Sequence, residues 1–469
     1  MARQKRVKMR RDSGCTGRRQ ARNERSRRQL RNLGLAITFV LAACGGSETS
    51  NENLTNPTGK SPGSAPLHAL IRSGSSFAAV SADEGRAAEV GRDVLSAGGN
   101  ATDAAVAMFF AMAVTLPSAA GLGATGACVV HDSKTRQGES FVFAPVAAPG
   151  SINGVAIAVP VAVRAVTLMH VRHGQMRWEA LVAPAERLAR VGIPVSRALA
   201  RDLQEGARSL GADSEARRIY GRGSGTAVTE GDNWVQLDLA STLGIVRQRG
   251  GPDFFAGSFA RTLSDQVSRM GGSLTLESLR NAAPLAGPPL SQDYRGFKVY
   301  VAPSPMAGAR ALAGWDGQPE GAAGVPTTSE GISGFVAVDS KGGAAACTLS
   351  MGQLFGARMI VPGTGMLLGT VSSTSAAVSP LVIGNPGNAE FRFVGAGGGS
   401  PEAAYATGAI ARASIRDGKS VGEAMAARGG RGGWVNAIAC PEGIRGGGYL
   451  CRSAIDPAGS GMALVAPVK

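Results

Sequence analysis

Three candidate nucleophiles, Thr327, Thr328 and Ser333, stand at the front of the stretch TTSEGISGFVAVDSKGGAAACTLS. The stretch reads as an alternating strand, a Gly-rich turn and a second strand. A hydroxyl on the edge of such a hairpin attacks a carbonyl only if a base takes its proton and amide donors receive the developing charge. Few other residues carry chemistry. His170 and His173 are spaced H-x-x-H on one helical pattern, but a zinc pair needs further ligands that the segment does not offer, so no metal and no cofactor is expected. GLGATG at 121–126 matches G-x-G-x-x-G, yet it follows a helical segment and precedes the strand-like ACVVHD, the reverse of what a dinucleotide site needs.

The six cysteines fall into three groups. Cys15 and Cys44 lie in or at the end of a basic leader. Cys440 and Cys451 flank the Gly-rich loop PEGIRGGGYL, and an oxidising compartment favours a local disulfide there. Cys128 and Cys347 lie in the apolar runs ACVVHD and AAACTLS, where buried inert thiols are the default and a bridge between the two strands stays open.

The elements that must position these residues follow from periodicity. From Phe77 the chain gives a short strand, a helix ending at Gly98-Gly99, and a second, Ala-rich helix, apolar on most faces, with Thr102 and Asp103 in its first turn. Residues 160–290 are mostly helical by pattern, and YRGFKVYVAPSP at 294–305 is a strand. AGARALAGWDGQPEGAAGVP reads as a Gly/Ala-rich linker. Two-residue-period strands follow at GFVAVDS, AAACTLSM, PLVIG and FRFVG, then a helix in SPEAAYATGAIARASIRDG, then strands in VNAIACP and GMALVAP. Helices between two groups of strands imply a layered α/β protein, with helices covering sheets that face one another.

Charge bears on partners. The net charge of +15 over 469 residues suggests nucleic acid or a membrane surface, but residues 1–43 hold thirteen Lys and Arg against Asp12 and Glu24. The rest of the chain is close to neutral, so nucleic-acid binding loses its main support. The basic segment runs into LGLAITFVLAAC, too short to span a bilayer and suited to a signal-peptide core. LAAC followed by GGS resembles a bacterial lipobox, which makes Cys44 the expected lipidated residue of a membrane-anchored periplasmic lipoprotein. Residues 44–66, rich in Ser, Asn, Thr, Gly and Pro, read as a flexible tether.

The blocks GGNATDAAVAMFFAMAVTLPSAAGLGATG, VAVPVAV, HGQMRWEALVAPAERLA, PPLSQDYRGFKVYVAPSP, FVAVDSKGGAAACTLS and VGAGGGSPEAA occur in order and resemble those of the γ-glutamyltransferase (glutathione hydrolase) family. The resemblance covers nearly all of residues 77–465. It implies a four-layer αββα sandwich of the N-terminal-nucleophile hydrolase type, matured by self-cleavage before a Thr whose freed amine is its own base. On that plan residues 67–312 are a helix-rich, large-subunit-like region, 313–326 a shortened linker and 327–469 a small-subunit-like region. The implied ligand is a small γ-glutamyl compound such as glutathione, and the implied oxyanion donors are Gly398 and Gly399.

The chain departs from the family pattern where glutamate should be held. Pro145 stands where the resemblance places a carboxylate-binding Arg, and proline has no bidentate grip. Ala376 and Ala377 replace a pair of serines, and an amine-binding Asp falls in GTVSSTS near Ser372 or Ser373. Counting back seven residues from Asp339 to the family's nucleophile position gives Ile332. Ser333 is one residue off, and a one-residue slip turns a strand side chain to the opposite face unless a bulge restores it. Thr327 and Thr328 need an insertion before Asp339. Three functions compete: the family's acyl transfer, a non-catalytic lipoprotein that uses the scaffold for binding or assembly, and an acylase of altered specificity.

Overall fold

The computed structural model describes residues 77–467, apart from 322, 323, 325–328 and 373. Cys44, Thr327, Thr328 and Ser373 lie outside the described residues, as do the leader and tether.

Two antiparallel sheets carry the fold. Strands are numbered in chain order. The first sheet holds β1 (Ala79–Ala82), β2 (Thr125–Asp132), β3 (Gln137–Phe143), β6 (Leu285–Gly287), β9 (Ile332–Val338), β10 (Ala344–Ser350) and β17 (Met462–Val465), in the order β17-β1-β9-β10-β2-β3-β6. The second holds β7 (Leu290–Tyr294), β8 (Phe297–Val301), β13 (Leu381–Asn385), β14 (Glu390–Gly398), β15 (Trp434–Ala439) and β16 (Arg452–Ile455), in the order β16-β15-β14-β13-β8-β7. Short pairs β4 (Ile193–Pro194) with β5 (Asn233–Trp234), and β11 (Ile360–Val361) with β12 (Met366–Leu367), complete the strands.

β9 shows why these segments are strands buried on both sides. Phe335 and Ala337 enter the core shared with the helices, whereas Val336 and Val338 meet Val382, Val394 and Ile438 of the second sheet. Every residue of β9 and β10 is buried, because helices cover one face and the other sheet covers the second. The period-2 pattern of the sequence is therefore an alternation between two apolar environments, with no water-facing side.

Helices close the outer layers. α1 (Gly85–Ser96), α2 (Ala101–Thr115), α3 (Pro117–Ala120), α4 (Ala162–His173), α5 (Trp178–Val191) and α6 (Arg197–Leu210) lie on the first sheet's side, followed by α7–α11 (Ser214–Tyr220, Leu237–Arg249, Gly251–Ala256, Ser258–Arg269 and Leu276–Asn281). All of α2 is buried, as its apolar circumference requires, and its start is fixed by a capping box in which Asn100 and Asp103 bond each other's backbone. The Asp103 carboxylate also accepts the N–H groups of Gln175 and Met176, tying α2 to the α4–α5 connection. α12 (Gly308–Asp316), α13 (Ala403–Ile415) and α14 (Val421–Arg428) cover the second sheet, completing the αββα order.

α12 corrects the linker reading. Residues 308–316 form a helix, and 313–316, assigned to the shortened linker, are its last turn. Its small residues serve packing: a Cβ on Gly314 would stand 2.2 Å from the Tyr405 carbonyl oxygen, and one on Gly408 would stand 1.9 Å from that of Ala311. Glycine here lets two backbones approach, and composition alone reads such a pair as a loop.

Two disulfides are present. Cys440 is joined to Cys451. Cys128 and Cys347, for which buried thiols were the default, are joined as well; they stand directly opposite on β2 and β10, with Cα atoms 4.1 Å apart.

Candidate active site

The site is built at the start of β9. The turn before it has positive φ at Glu330 and Gly331, and a Cβ on Gly331 would stand 2.2 Å from the Gln353 carbonyl oxygen, so only glycine fits. The Ile332 N–H donates to the Ser329 carbonyl at 2.7 Å, and the Met351 N–H donates to the Gly331 carbonyl at 2.8 Å. Ile332 is the first residue of the strand, paired with Ser350. Asp339, from which the count was made, accepts N–H groups of Ala101, Lys341 and Gly343 and locks the β9–β10 turn to the start of α2.

The Ile332 side chain is fully buried in an apolar cluster with Ala127, Val142, Ala302, Met306 and Val378, and Ala144 and Ala376 pack against it. Beside it, Gly398 ends β14 and Gly399 has φ of 88°. The Gly399 N–H donates to the Ile332 carbonyl at 3.0 Å. The glycine turn thus meets the start of β9, but one of its two amides is bound to protein.

Ser333 points into a polar network. Its hydroxyl donates to Asp83 Oδ2 at 2.9 Å, and the Gly334 N–H donates to the same oxygen at 2.9 Å. Asn436 Nδ2, from the second sheet, donates to Asp83 Oδ1 at 2.6 Å, and the Ser81 hydroxyl donates to Asn436 Oδ1 at 3.1 Å. Burial pushes the Asp83 carboxyl above the usual carboxylate range, against the pull of the hydrogen bonds from Gly334, Asn436 and Ser333. A hydroxyl beside a carboxylate that readily takes a proton is a nucleophile–base pair in outline, yet Ser333 is fully buried and Asp83 nearly so.

A second buried carboxylate holds the segment in front of β9. Asp202 on α6 accepts the Ser118 hydroxyl at 2.7 Å and the Ser329 hydroxyl at 3.0 Å, and burial raises its carboxyl too. Sequence reasoning missed Asp83, Asn436, Asp202 and Ser329. Each is a common residue type, and only the pairing of distant segments gives it a partner.

The remaining positions carry no charge for a glutamate. Pro145 follows β3, half-buried. The Ser372 hydroxyl meets those of Thr374 and Ser375 at 2.9 and 3.2 Å and donates to the Gly352 carbonyl. The two histidines diverge: His170 Nε2 contacts the Met176 carbonyl at 2.8 Å, whereas His173 bridges Asp132 at 2.9 Å and Glu139 at 2.6 Å. No cluster of His, Cys, Asp and Glu that could hold a metal ion exists among the described residues.

Comparison with known proteins places this geometry. The family model described as gamma-glutamyltranspeptidase matches residues 87–316. Glutathione hydrolase proenzyme of Bacillus subtilis (strain 168) is 33% identical over 241 residues, which are 47% of this chain and 41% of that protein. Glutathione hydrolase proenzyme of Escherichia coli (strain K12) is 32% identical over 248 residues, 49% of this chain and 42% of that protein. The chain thus spans less than half the length of these curated relatives. Cephalosporin acylase from Bacillus halodurans superposes with a TM-score of 0.65 at 18% identity, covering 86% of this chain and 99% of that one, a likeness of fold alone. With the ordered sequence blocks, these matches make the chain similar to the γ-glutamyltranspeptidase family over about half of its length, on a sandwich of the N-terminal-nucleophile hydrolase fold.

Proposed function

We propose that this chain is a cell-envelope member of the family that no longer transfers or hydrolyses γ-glutamyl groups, and that its scaffold serves for binding or assembly. One observation carries the reading: the strand position where the family chemistry needs a hydroxyl holds Ile332, sealed in an apolar cluster that includes Ala376. A γ-glutamyl amide needs a nucleophile, free oxyanion donors and a cation for its α-carboxylate. Here the first is a hydrocarbon, one donor is bound to the Ile332 carbonyl, and the third position is Pro145. A cavity of about 720 Å³, lined by Arg197, Arg201, Gln204, Thr229 and Ser460 among others, offers the scaffold a place to bind small molecules. Location belongs to the same proposal. The lipobox-like sequence at Cys44 supports a periplasmic lipoprotein, and two disulfides in the body suit an oxidising compartment.

A second reading, an acylase of altered specificity, draws on the Ser333–Asp83 hydrogen bond of 2.9 Å. One experiment separates the readings. The purified mature chain is run on a denaturing gel, its mass measured, and release from a γ-glutamyl anilide and from a panel of simple acyl anilides followed. A single intact chain with no release supports the proposal. Fragments with a new N-terminus at Thr327, Thr328 or Ser333, or turnover abolished by Ser333→Ala, overturn it. Labelling with palmitate that survives Cys44→Ala defeats the anchor.

A further inference from the structure

Both sheets are woven from the two halves of the chain. β9 and β10, which follow the connection at 317–331, lie between β1 and β2, which precede it. β8, before the connection, pairs with β13, after it. Where β10 meets β2, Cys347 lies opposite Cys128 in an antiparallel register running from Ala344–His131 to Ser350–Thr125. The two are joined across a sequence separation of 219 residues. Cys440 and Cys451, by contrast, both lie after the connection.

We infer that Cys128–Cys347 is a covalent staple between the two halves of the sandwich, keeping them one molecule whether or not the connection is cut. Cleavage by the chain itself or by a protease anywhere in 317–331 leaves the halves bonded through β2 and β10, so the second half is never released. This holds independently of whether the site is active. The bridge forms by thiol–disulfide exchange with a disulfide oxidant of the compartment. One cysteine thiolate attacks the oxidant to give a mixed disulfide, and the other displaces the oxidant's second thiolate. Two electrons and two protons pass to the oxidant, which leaves as a dithiol or as two thiols.

Geometry fixes when that step occurs. Both cysteines are buried in the core that β2 and β10 share with α2, so exchange precedes closure of the helical layer. After closure, a reductant reaches the bridge only when that layer opens.

The test is a nick in the full mature chain. A protease site replacing residues 321–324 is cleaved under native conditions, and the product is run on denaturing gels with and without dithiothreitol. One band without reductant and two bands with it are expected. Two bands without reductant overturn the staple. In the variant carrying Cys128→Ala and Cys347→Ala, the cut chain gives two bands in either lane. Should that variant fail to fold, alkylation and peptide mapping of the uncut wild type decide. A linked pair of peptides containing residues 128 and 347 supports the inference, and alkylated free thiols at both overturn it.

Discussion

Ile332→Thr places a hydroxyl at the start of β9 and gives a quantitative test of how the site is filled. The change deletes the δ-methyl group and exchanges a γ-carbon for oxygen, inside a cluster whose other side chains are apolar. Losing one methyl from a packed core typically costs about 0.5–1.5 kcal/mol. A buried hydroxyl with no partner adds about 1–3 kcal/mol. The expected loss is therefore about 1.5–4.5 kcal/mol, below the roughly 5–15 kcal/mol by which domains are stable, so the variant folds. Urea unfolding of parent and variant measures the difference as a lower midpoint at unchanged slope. A denaturing gel and a γ-glutamyl anilide assay on the same samples report chemistry. Neither self-cleavage nor anilide release is expected, because Pro145 and Ala376 remain and the Gly399 amide is still held by the residue 332 carbonyl. Stability equal to the parent's would refute the packing argument. Cleavage before residue 332 would refute the proposal that more than the residue at 332 keeps the chain inactive.

Further expectations concern the polar groups. His173 is raised above its ordinary value: burial disfavours the charged ring, but the Asp132 and Glu139 carboxylates outweigh it. Asp132 in turn is held at about 2, chiefly by His173. The His173 contribution is present below about pH 6.5 and fades as pH rises through its folded value, and that of Asp132 is present above about pH 3.8. The clamp is thus strongest between about pH 4 and 6.5. With solvent screening, His173→Gln should lose about 1–2 kcal/mol there and less at pH 8, by urea titration. His131, held at about 4 by burial, has the opposite sign: the unfolded chain takes up its proton from about pH 6.5 downward while the folded one does not. Stability should fall by up to about 3 kcal/mol from pH 6.5 to 4, and His131→Phe should flatten that slope. Asp83→Ala strands the Gly334 N–H and the Ser333 hydroxyl, so a loss of about 3 kcal/mol is expected from chemical denaturation. Gly408→Ala puts a methyl 1.9 Å from the Ala311 carbonyl oxygen, and the α12–α13 contact should open with a loss of at least about 2 kcal/mol, seen as a lower melting temperature.

How much of this was legible depended on whether the cause was local. α2 could be read because its evidence lies within fifteen consecutive residues: Thr102 and Asp103 in the first turn and an apolar circumference around them. Most strands of the two sheets could be read from short apolar runs and Ile332 from a count to Asp339, but β3, β6 and β16 were not read, and 294–305, read as one strand, holds the turn between β7 and β8. The Cys128–Cys347 bridge could not, since its cause is the register of β2 with β10 across 219 residues. Nor could the Ser333–Asp83–Asn436 network, which needs β1, β9 and β15 to converge. α12 was misread for a related reason. Glycine is enriched both where a chain turns and where two helices touch, and only the neighbour at Gly408 distinguishes the two.

The filling of the space at the start of β9 also bears on stability. A catalytic pocket keeps polar groups and open space at the end of a core, an arrangement that commonly costs stability. In this chain the corresponding space is occupied by Ile332, Val378, Met306 and small alanines, the same kinds of residue that fill the rest of the gap between the sheets. Burying a side chain of the size of isoleucine contributes about 1.5–3 kcal/mol. Ile332, with Ala376 packed against its cluster, therefore extends the apolar packing between the sheets rather than breaking it. The polar residues that remain, Asp83, Asp103, Asp202 and Asp339, each bond backbone or hydroxyl groups of neighbouring segments. Asp83, Asp202 and Asp339 tie β9 and its two ends to β1, α6 and the start of α2, so the frame around Ile332 is held by the protein's own hydrogen bonds and needs no substrate.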